Sequence, residues 1–411
     1  MAVLFSLFTL IVVVSTRYFL IPSLLGLDSN ANLLQYLDVL FNTPYTSYKT
    51  LKECIIMLNY NGNSNLGSNL NQAPLYVSFF NVIPERLHFY IFCLFDIGSF
   101  YYIIQITNNR NEKELGPNSS IKLILYLLNP LIYINLLMKT TFVIIQFCII
   151  MAIYHIQQSK STKSINIAAL MFAVVTYLDI YNLGLVLVLF NFIKDNKSLF
   201  LASYGSVFTI FMAVSFKLQP TFIMNNIVSK ILFKEQYPNI GLWWYFFIEM
   251  FQEYRDFFKF VFNCYCYIFV LPIFIRFKNY SLQAFVILFT WITAFKPYPT
   301  IGELGFILLV FVYWFDLRII EHKLIMCLLI IHSIILLPVF YHLWITIGSG
   351  NSNFFYALTL VYVVSVVLIL LGMIKSVLYW EYEDDHQIVS TENKSETEIN
   401  KQEKLNLVSV Q

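Results

Sequence analysis

Three carboxylates near the N-terminus are the side chains of this chain best suited to acid–base chemistry: Asp28, Asp38 and Glu53. A carboxylate can deprotonate an acceptor hydroxyl, which is what a sugar transferase requires. The three are widely spaced, and none forms an Asp-x-Asp or Asp-Glu pair that would bind a metal or orient the acceptor. In LLQYLDVLF, helical spacing places Asp38 on an ordinary solvated face. We therefore do not expect this chain to be an enzyme, and sugar transfer stays as the alternative.

Cysteine and histidine show no spacing typical of a metal or redox site. The six cysteines lie mostly in apolar runs, and Cys264-Tyr265-Cys266 lacks the two-residue spacer of a metal or redox pair. The six histidines are scattered, without an HExxH or similar arrangement. Buried thiols explain the cysteines, so no metal and no other cofactor is expected.

The composition indicates a membrane protein. Of the 411 residues 58% are hydrophobic and 12% are charged, whereas a soluble domain has about 25% charged residues. Apolar runs such as Leu324 to Leu343 and Phe354 to Met373 recur along the chain, and each can cross a hydrocarbon core about 30 Å thick. We predict an all-α, polytopic helical membrane protein.

The apolar runs and their breaks predict about twelve transmembrane helices. The stretch 166–192 is divided in two because Asp179, Asn182 and Gly184 interrupt it, and because the basic segments KSTK and KDNK flank it. The first run has no basic flank or cleavage site and is interpreted as a retained span. The predicted spans are 2–20, 87–106, 122–138, 141–157, 166–179, 180–192, 199–216, 261–275, 281–294, 303–316, 324–345 and 354–374.

The distribution of Lys and Arg predicts the orientation. Five connections, from 107–122 to 317–323, hold eleven of these residues in 42 positions, and the opposite set holds nine in 119. The positive-inside rule therefore places the first set and both termini in the cytoplasm. The membrane domain is then residues 1–380, with large luminal segments at 21–74 and 217–262. The tail 381–411, with eight acidic residues and three lysines, is expected to be disordered and cytoplasmic.

The luminal segment 217–262 contains an amphipathic pattern. Over 243–260, aromatic side chains from Trp243 to Phe258 occupy one arc, and the charged side chains from Glu249 to Lys259 occupy the opposite arc. Five charges at the centre of a span would cost several kcal/mol each. We predict an interfacial helix over 243–260 with its aromatic side in the membrane. It is either a simple anchor or the border of a lipid site.

Several blocks resemble the PIG-U family, a multi-spanning subunit of the glycosylphosphatidylinositol (GPI) transamidase. The two long blocks are PNIGLWWYFFIEMF, residues 238–251, and HLWITIGSGNSNFFYALTL, residues 342–360. Shorter ones are TPYTSYKTLKE (43–53), LLNP (127–130) and FKPYPTIGE (295–303). Their order along the chain is similar to that in the family.

The resemblance implies a function in the endoplasmic reticulum membrane. The chain would be a non-catalytic subunit that binds the GPI lipid and presents it for attachment to protein C-termini. Its partners would be the other transamidase subunits, among them a caspase-like subunit that performs the catalysis. The family also looks like a relative of the glycosyltransferases that use dolichol-phosphate sugars. The resemblance therefore implies a related membrane architecture for this chain.

Positions carried over from the resemblance give a candidate lipid site. Asn353 is the first candidate for a head-group contact, and Asn351 and Ser352 offer further neutral hydrogen-bonding groups. These residues equally suit a cap and turn at the start of the last helix. Lys296 and Tyr298 are weaker candidates. The full predicted set is Asn353, Asn351, Ser352, Phe354, Glu249, Phe247, Phe251 and Tyr254.

A transporter is a third possibility, because polar residues within membrane spans often mark a pathway. Asp179, Asp96 and Asp316 are the candidates. The chain shows no inverted hydropathy repeat of the kind that transporters have, so this reading is not favoured.

Overall fold

The computed structural model describes residues 31–61, 71–108, 126–158, 161–193, 196–317 and 319–408, and no β-strand occurs among them. The helices of the first half are α1 Ala31–Phe41, α2 Tyr48–Asn61, α3 Pro74–Val82, α4 Glu85–Asn108, α5 Pro130–Leu137, α6 Phe142–Gln157, α7 Thr162–Leu178, α8 Leu185–Phe192 and α9 Lys197–Leu218. Those of the second half are α10 Trp243–Glu249, α11 Gln252–Tyr267, α12 Val270–Arg276, α13 Ser281–Phe295, α14 Ile301–Trp314, α15 Lys323–Tyr341 and α16 Ser352–Val408.

Five of the described helical stretches are long and apolar enough to cross a membrane, so the all-helical membrane class is confirmed. They are Glu85–Ile106, Lys197–Leu218, Gln252–Arg276, Lys323–Ile347 and Ser352–Glu383. Four further apolar helices are shorter, Phe142–Gln157, Thr162–Leu178, Ile180–Phe192 and Ile301–Trp314. The predicted span 2–20 lies outside the described residues, and the total of twelve stays a prediction.

Local sequence explains where several helices begin. Asn129 precedes α5, and its side chain accepts hydrogen bonds from the backbone N–H groups of Leu131 at 3.0 Å and Ile132 at 3.4 Å. Pro130 then occupies the first helical position, where its missing N–H is not needed. At α14 the Glu303 carboxylate accepts from the backbone N–H of Thr300 at 3.2 Å, which is half of a capping box.

The stretch 166–192, predicted as two spans, is divided at Asp179 as the sequence indicates. Helix α7 ends at Leu178, Asp179 is extended (φ −137°, ψ 105°), and a short 3-10 helix Ile180–Gly184 leads into α8. The Asp179 side chain accepts from the backbone N–H of Tyr181 at 3.3 Å. The break therefore leaves a carboxylate at the end of α7, inside the protein.

The single interfacial helix predicted over 243–260 is wrong in one respect, because the chain forms two helices there. Met250 and Phe251 are extended, with ψ of 140° and 142°, and they separate α10 from α11. Arg255 donates to the carbonyl of Met250 at 3.1 Å, so this charge caps the end of α10. The 3.6-residue periodicity continues across the break, which is why the sequence did not show it.

The C-terminal segment also differs from its prediction. Helix α16 continues to Val408, so the backbone of residues 381–408 is helical where the sequence predicts disorder. Glu, Lys and Gln are frequent in that segment, and all three are strong helix formers.

The helices pack around one apolar core. Helix α7 lies against α6 and α9, and α13 lies against α8 and α16. Helix α14 packs on α5 through Gly305, where an added Cβ would lie 2.8 Å from the Leu131 Cβ. The ends of α7, α13 and α14 thereby bring Asp179, Lys296 and Glu303 together.

Candidate functional site

Four of the five blocks that carry the family resemblance, all except LLNP, meet in space. We call their meeting point the junction: residues 42–47, 229–247, 295–303 and 342–356. Tyr45 and Ser229 share a hydrogen bond of 2.7 Å between their hydroxyls. Trp243 Nε1 donates to the carbonyl of Phe295 at 2.8 Å, and the Tyr356 hydroxyl donates to the carbonyl of Leu242 at 3.2 Å. Segments far apart in sequence thus form one unit.

Residues 235–243 pack on residues 295–299 with little free space. The buried Asn239 side chain donates to the carbonyl of Pro297 at 3.2 Å and accepts from the backbone N–H of Gly241 at 2.7 Å. An added Cβ at Gly241 would lie 2.8 Å from the Pro299 ring. Glycine is therefore required for this close approach.

An aromatic core lies under this contact. Trp243, Trp244 and Phe247 are each 0% exposed. The Phe247 ring centroid lies 5.6 Å from that of Trp243 and 5.9 Å from that of Phe233. The sequence-based prediction placed Phe247 among the lipid contacts, and the structure corrects this. Phe247 is a core residue with no exposed surface.

Two predicted site residues from different blocks meet at Tyr245. The Tyr245 hydroxyl donates to the Asn353 side-chain carbonyl. Burial and the nearby charge of the Glu249 carboxylate raise the pKa of Tyr245. The Tyr245 ring stacks on Tyr356, with centroids 4.5 Å apart. Asn353 and Glu249 are both exposed. We call Tyr245, Glu249 and Asn353 the rim.

The Asn351 and Ser352 side chains serve the start of α16. Asn351 Oδ1 accepts from the backbone N–H of Asn353 at 3.2 Å and from the Ser352 hydroxyl at 3.1 Å. This is an N-cap, the alternative that the sequence left open for these two residues. Their contacts hold Asn353 at the first turn of α16.

A tight turn precedes this cap. Gly348 has a φ of +72°, a conformation that favours glycine. The backbone N–H groups of Ser349 and Gly350 donate to the carbonyl of Leu343 at 3.1 and 3.0 Å. The turn positions Asn351 and Asn353 beside α10.

The remaining predicted aromatic residues are exposed. Phe251 is 77%, Tyr254 is 59% and Phe354 is 57% exposed, and the Phe354 ring stacks on Phe340 with centroids 5.9 Å apart. These three rings flank the rim and are available to a lipid or to the membrane.

A buried ion cluster lies at the centre of the junction. Lys296 Nζ lies 2.8 Å from Asp179 Oδ2 and 2.5 Å from Glu303 Oε1. Lys296 and Glu303 are each 4% exposed. Burial lowers the pKa of Lys296, but the two carboxylates more than offset this, and the pKa is raised. Lys296 therefore stays charged and paired. We call Asp179, Lys296 and Glu303 the ion cluster.

A second buried lysine borders the ion cluster. Lys230 Nζ donates to the carbonyl of Leu178 at 3.0 Å and lies 5.1 Å from the centroid of the Tyr45 ring. A cavity of about 20 Å³ separates it from Asp179, which is room for one water molecule. Burial lowers the pKa of Lys230 to about 8, although Asp179 opposes the shift. With Lys230 included, the formal charges of the group cancel.

Sequence analysis missed Tyr245, Lys230 and Glu303 and gave little weight to Lys296. The available signals were local: Tyr245 precedes Glu249 by one helical turn, and Lys296 and Glu303 are charges in otherwise apolar surroundings. The contacts of Lys296 with Asp179 and of Tyr245 with Asn353 join residues that are 117 and 108 positions apart, which no local pattern shows.

Among the carboxylates considered for other functions, Asp38 and Asp96 have hydrogen-bond partners within the protein. Asp38 accepts from the Asn42 side chain at 2.5 Å, and Asp96 accepts from the Tyr126 hydroxyl at 2.7 Å. Glu53 is exposed on α2, and Asp28 lies outside the described residues. In the described part of the chain, no three His, Cys, Asp or Glu side chains lie close enough to hold a metal ion.

Comparison with known proteins gives one family. A family model described as "GPI transamidase subunit PIG-U" matches residues 11–362. GPI transamidase component GAB1 of Saccharomyces cerevisiae is 31% identical over 363 residues, 86% of this chain and 91% of the yeast protein. The mouse GPI-anchor transamidase component PIGU is 28% identical over 85% of this chain and 89% of its own length. The GAB1 homolog of Schizosaccharomyces pombe is 30% identical over 70% of this chain and 72% of its own. The matched range contains all five sequence blocks.

Proposed function

The chain belongs to the PIG-U family of GPI transamidase subunits, and we propose that it binds the GPI lipid and presents it for attachment to protein C-termini. It would do so in the endoplasmic reticulum membrane, with both of its termini in the cytoplasm. A separate caspase-like subunit would supply the nucleophile, so this chain performs no covalent step.

One observation carries the proposal: the rim joins the two long blocks in an exposed position. Tyr245 donates to Asn353 and lies near Glu249 on α10, although 104 residues separate Glu249 and Asn353 in sequence. Asn353 uses its side-chain carbonyl for Tyr245, and its amide nitrogen can donate to a sugar hydroxyl. The Glu249 carboxylate can accept from a hydroxyl or an ammonium group. The exposed Phe251, Tyr254 and Phe354 rings would contact the acyl chains.

Holding the lipid in this way would act through proximity. Fixing the ethanolamine amine near the partner's acyl-enzyme replaces a free encounter by a positioned one. Good positioning of two reactants lowers the activation barrier by about 7–11 kcal/mol in favourable cases. The rim would provide a share of that contribution.

Substitutions at the rim test the proposal. We expect Asn353→Ala, Glu249→Ala and Tyr245→Phe each to lower GPI attachment in cells while the complex assembles normally, because the three side chains are at the surface. Tyr245→Phe combined with Asn353→Ala should lower attachment little more than Asn353→Ala alone, since both break the same contact. Glu253→Ala, at an exposed glutamate of α11, is the matched control. Normal attachment in a rim variant at native expression removes that residue from the site.

The lipids that accumulate after depletion of the protein test the reaction step. Complete GPI lipids beside unprocessed precursor proteins would support a function at transfer. Truncated, under-mannosylated lipids would instead support the sugar transferase alternative, with Asp28, Asp38 and Glu53 as its catalytic candidates.

A further inference from the structure

Lys296 lies between the groups that hold residues 235–243 in place. The carbonyl of Phe295 accepts from Trp243 at 2.8 Å, and the carbonyl of Pro297 accepts from Asn239 at 3.2 Å. The Tyr298 hydroxyl donates to the carbonyl of Glu235 at 2.7 Å. Two of these contacts use backbone carbonyls of residues 295–298, and the third uses the side chain of Tyr298. All three therefore depend on the path of this segment.

The path of these residues is not set by regular secondary structure. Helix α13 ends at Phe295, and Lys296 is extended with φ −71° and ψ 158°. Helix α14 begins only at Ile301. The backbone N–H of Lys296 donates to the carbonyl of Ile292 at 2.9 Å. Its side chain is bound at once by Asp179 at the end of α7 and by Glu303 in the first turn of α14.

We expect the ion cluster to fix one arrangement of the backbone more than to stabilise the fold. Removing charged groups from water offsets much of the attraction between them, so a buried ion pair adds little net stability compared with an apolar replacement. What such a pair can provide is a single arrangement, because an ammonium held by two carboxylates has few alternative partners in a dry interior. The surroundings of Lys296 are closed to bulk solvent, since it is 4% exposed.

We propose that Lys296 is a positioning residue for the rim. Held by Asp179 and Glu303, it fixes the carbonyls of Phe295 and Pro297. These two carbonyls fix Asn239 and Trp243. Trp243 lies on α10, two residues before Tyr245. Lys296 contacts neither the lipid nor the reacting atoms. The link to the lipid rests on the function proposed above, whereas the link to α10 does not.

Three variants of the purified complex separate positioning from stability. Lys296→Met leaves two buried carboxylates unpaired and is expected to destabilise the protein. The triple variant Asp179→Asn, Lys296→Met, Glu303→Gln removes all three charges of the ion cluster and leaves Lys230 its hydrogen bond to the Leu178 carbonyl. It should therefore assemble, and its thermal stability should exceed that of Lys296→Met. Lys296→Arg keeps the charge and should rescue in part. Lys230→Met, at the other buried lysine of the same cavity, is the matched control.

The first readout is hydrogen exchange of the backbone amides in residues 239–249. We expect exchange to rise about fivefold or more in the triple variant, the lower end of coupling between sites, and to stay unchanged in Lys230→Met. A triple variant that assembles and exchanges like the wild type would overturn the proposal, because the ion cluster would then be dispensable for positioning.

The second readout is the GPI lipid concentration that gives half-maximal attachment. It should rise in the triple variant with the maximal rate preserved, and Lys296→Arg should recover much of it. Faster exchange with an unchanged lipid dependence would support the positioning of α10 and would overturn the placement of the lipid at the rim.

Discussion

Two glutamates carried by the recognised blocks have opposite surroundings. Glu303 is 4% exposed, binds Lys296 at 2.5 Å and accepts from the backbone of Thr300. Glu249 is exposed at the end of α10, next to Tyr245. The first has its hydrogen-bonding capacity taken by the protein, and the second keeps most of it for other molecules.

The difference shows that a position in a recognised block does not by itself indicate contact with a ligand. The junction consists of a dry interior that sets the geometry and a rim that is open. Charges in the interior are paired because an unpaired charge there is unfavourable. The rim needs no such pairing, so its polar groups keep hydrogen-bonding capacity for the head group that we propose.

The largest contrast between interior and rim is expected for two phenylalanines of the same aromatic pattern. Phe247→Ala should destabilise the protein by about 3–5 kcal/mol, because truncating a buried phenylalanine leaves a cavity among Trp243, Phe233 and Phe262. Phe251→Ala, at a side chain that is 77% exposed, should leave stability unchanged. The thermal midpoint of the purified complex measures both. Equal losses in the two variants would contradict the assignment of Phe247 to the core.

The next contrast concerns Lys230 and pH. Its pKa is lowered from 10.5 to about 8, so the folded protein disfavours the charged form. This penalty is fully present below pH 8 and disappears as pH rises through 10.5, where the unfolded chain also loses the proton. The shift corresponds to about 3 kcal/mol. Wild-type protein should therefore gain thermal stability relative to Lys230→Met between pH 8 and 10.5.

Lys217 provides the control for this pH experiment. Its side chain is exposed at the end of α9, and Lys217→Met should follow the wild-type pH profile. If the difference between wild type and Lys230→Met is the same at pH 7 and pH 10, Lys230 is not held in the interior as the structure has it.

Much of the fold followed from the sequence. Apolar length predicted the helices from Glu85 to Ile106 and from Lys323 to Ile347 within a few residues. The break at Asp179 was predicted because polar residues interrupt an apolar run. The break at Met250 was not, because the aromatic spacing continues across it. Periodicity reports which side of a helix is apolar, and it does not report whether the backbone stays helical.

The candidate site was predictable only in part. The blocks gave Asn353 and Glu249, but their meeting at Tyr245 depends on how α10 packs against α16. Periodicity placed Phe247 and Phe251 on one arc, yet one is in the core and the other is exposed. The ion cluster joins positions 179, 296 and 303 across three helix ends. Such contacts are properties of the tertiary structure, so single-sequence patterns do not contain them.

The smallest contrast is between two adjacent tryptophans, both 0% exposed. Trp243 Nε1 donates to the carbonyl of Phe295 at 2.8 Å, whereas Trp244 Nε1 has no hydrogen-bond partner in the described part of the chain. Replacing either tryptophan by phenylalanine removes the indole N–H and the same part of the ring system. Trp243→Phe should therefore be less stable than Trp244→Phe by about 1 kcal/mol, the net contribution of one hydrogen bond.

The same pair relates stability to the rim. Loss of the Trp243 hydrogen bond loosens the contact between α10 and residues 295–297, so Trp243→Phe should also raise hydrogen exchange at Tyr245. Trp244 stacks on Trp344 with centroids 5.8 Å apart, and phenylalanine keeps a ring in that place, so Trp244→Phe should not. Equal exchange at Tyr245 in the two variants would mean that the Phe295 carbonyl does not position α10, and the interior would then support the rim by packing alone.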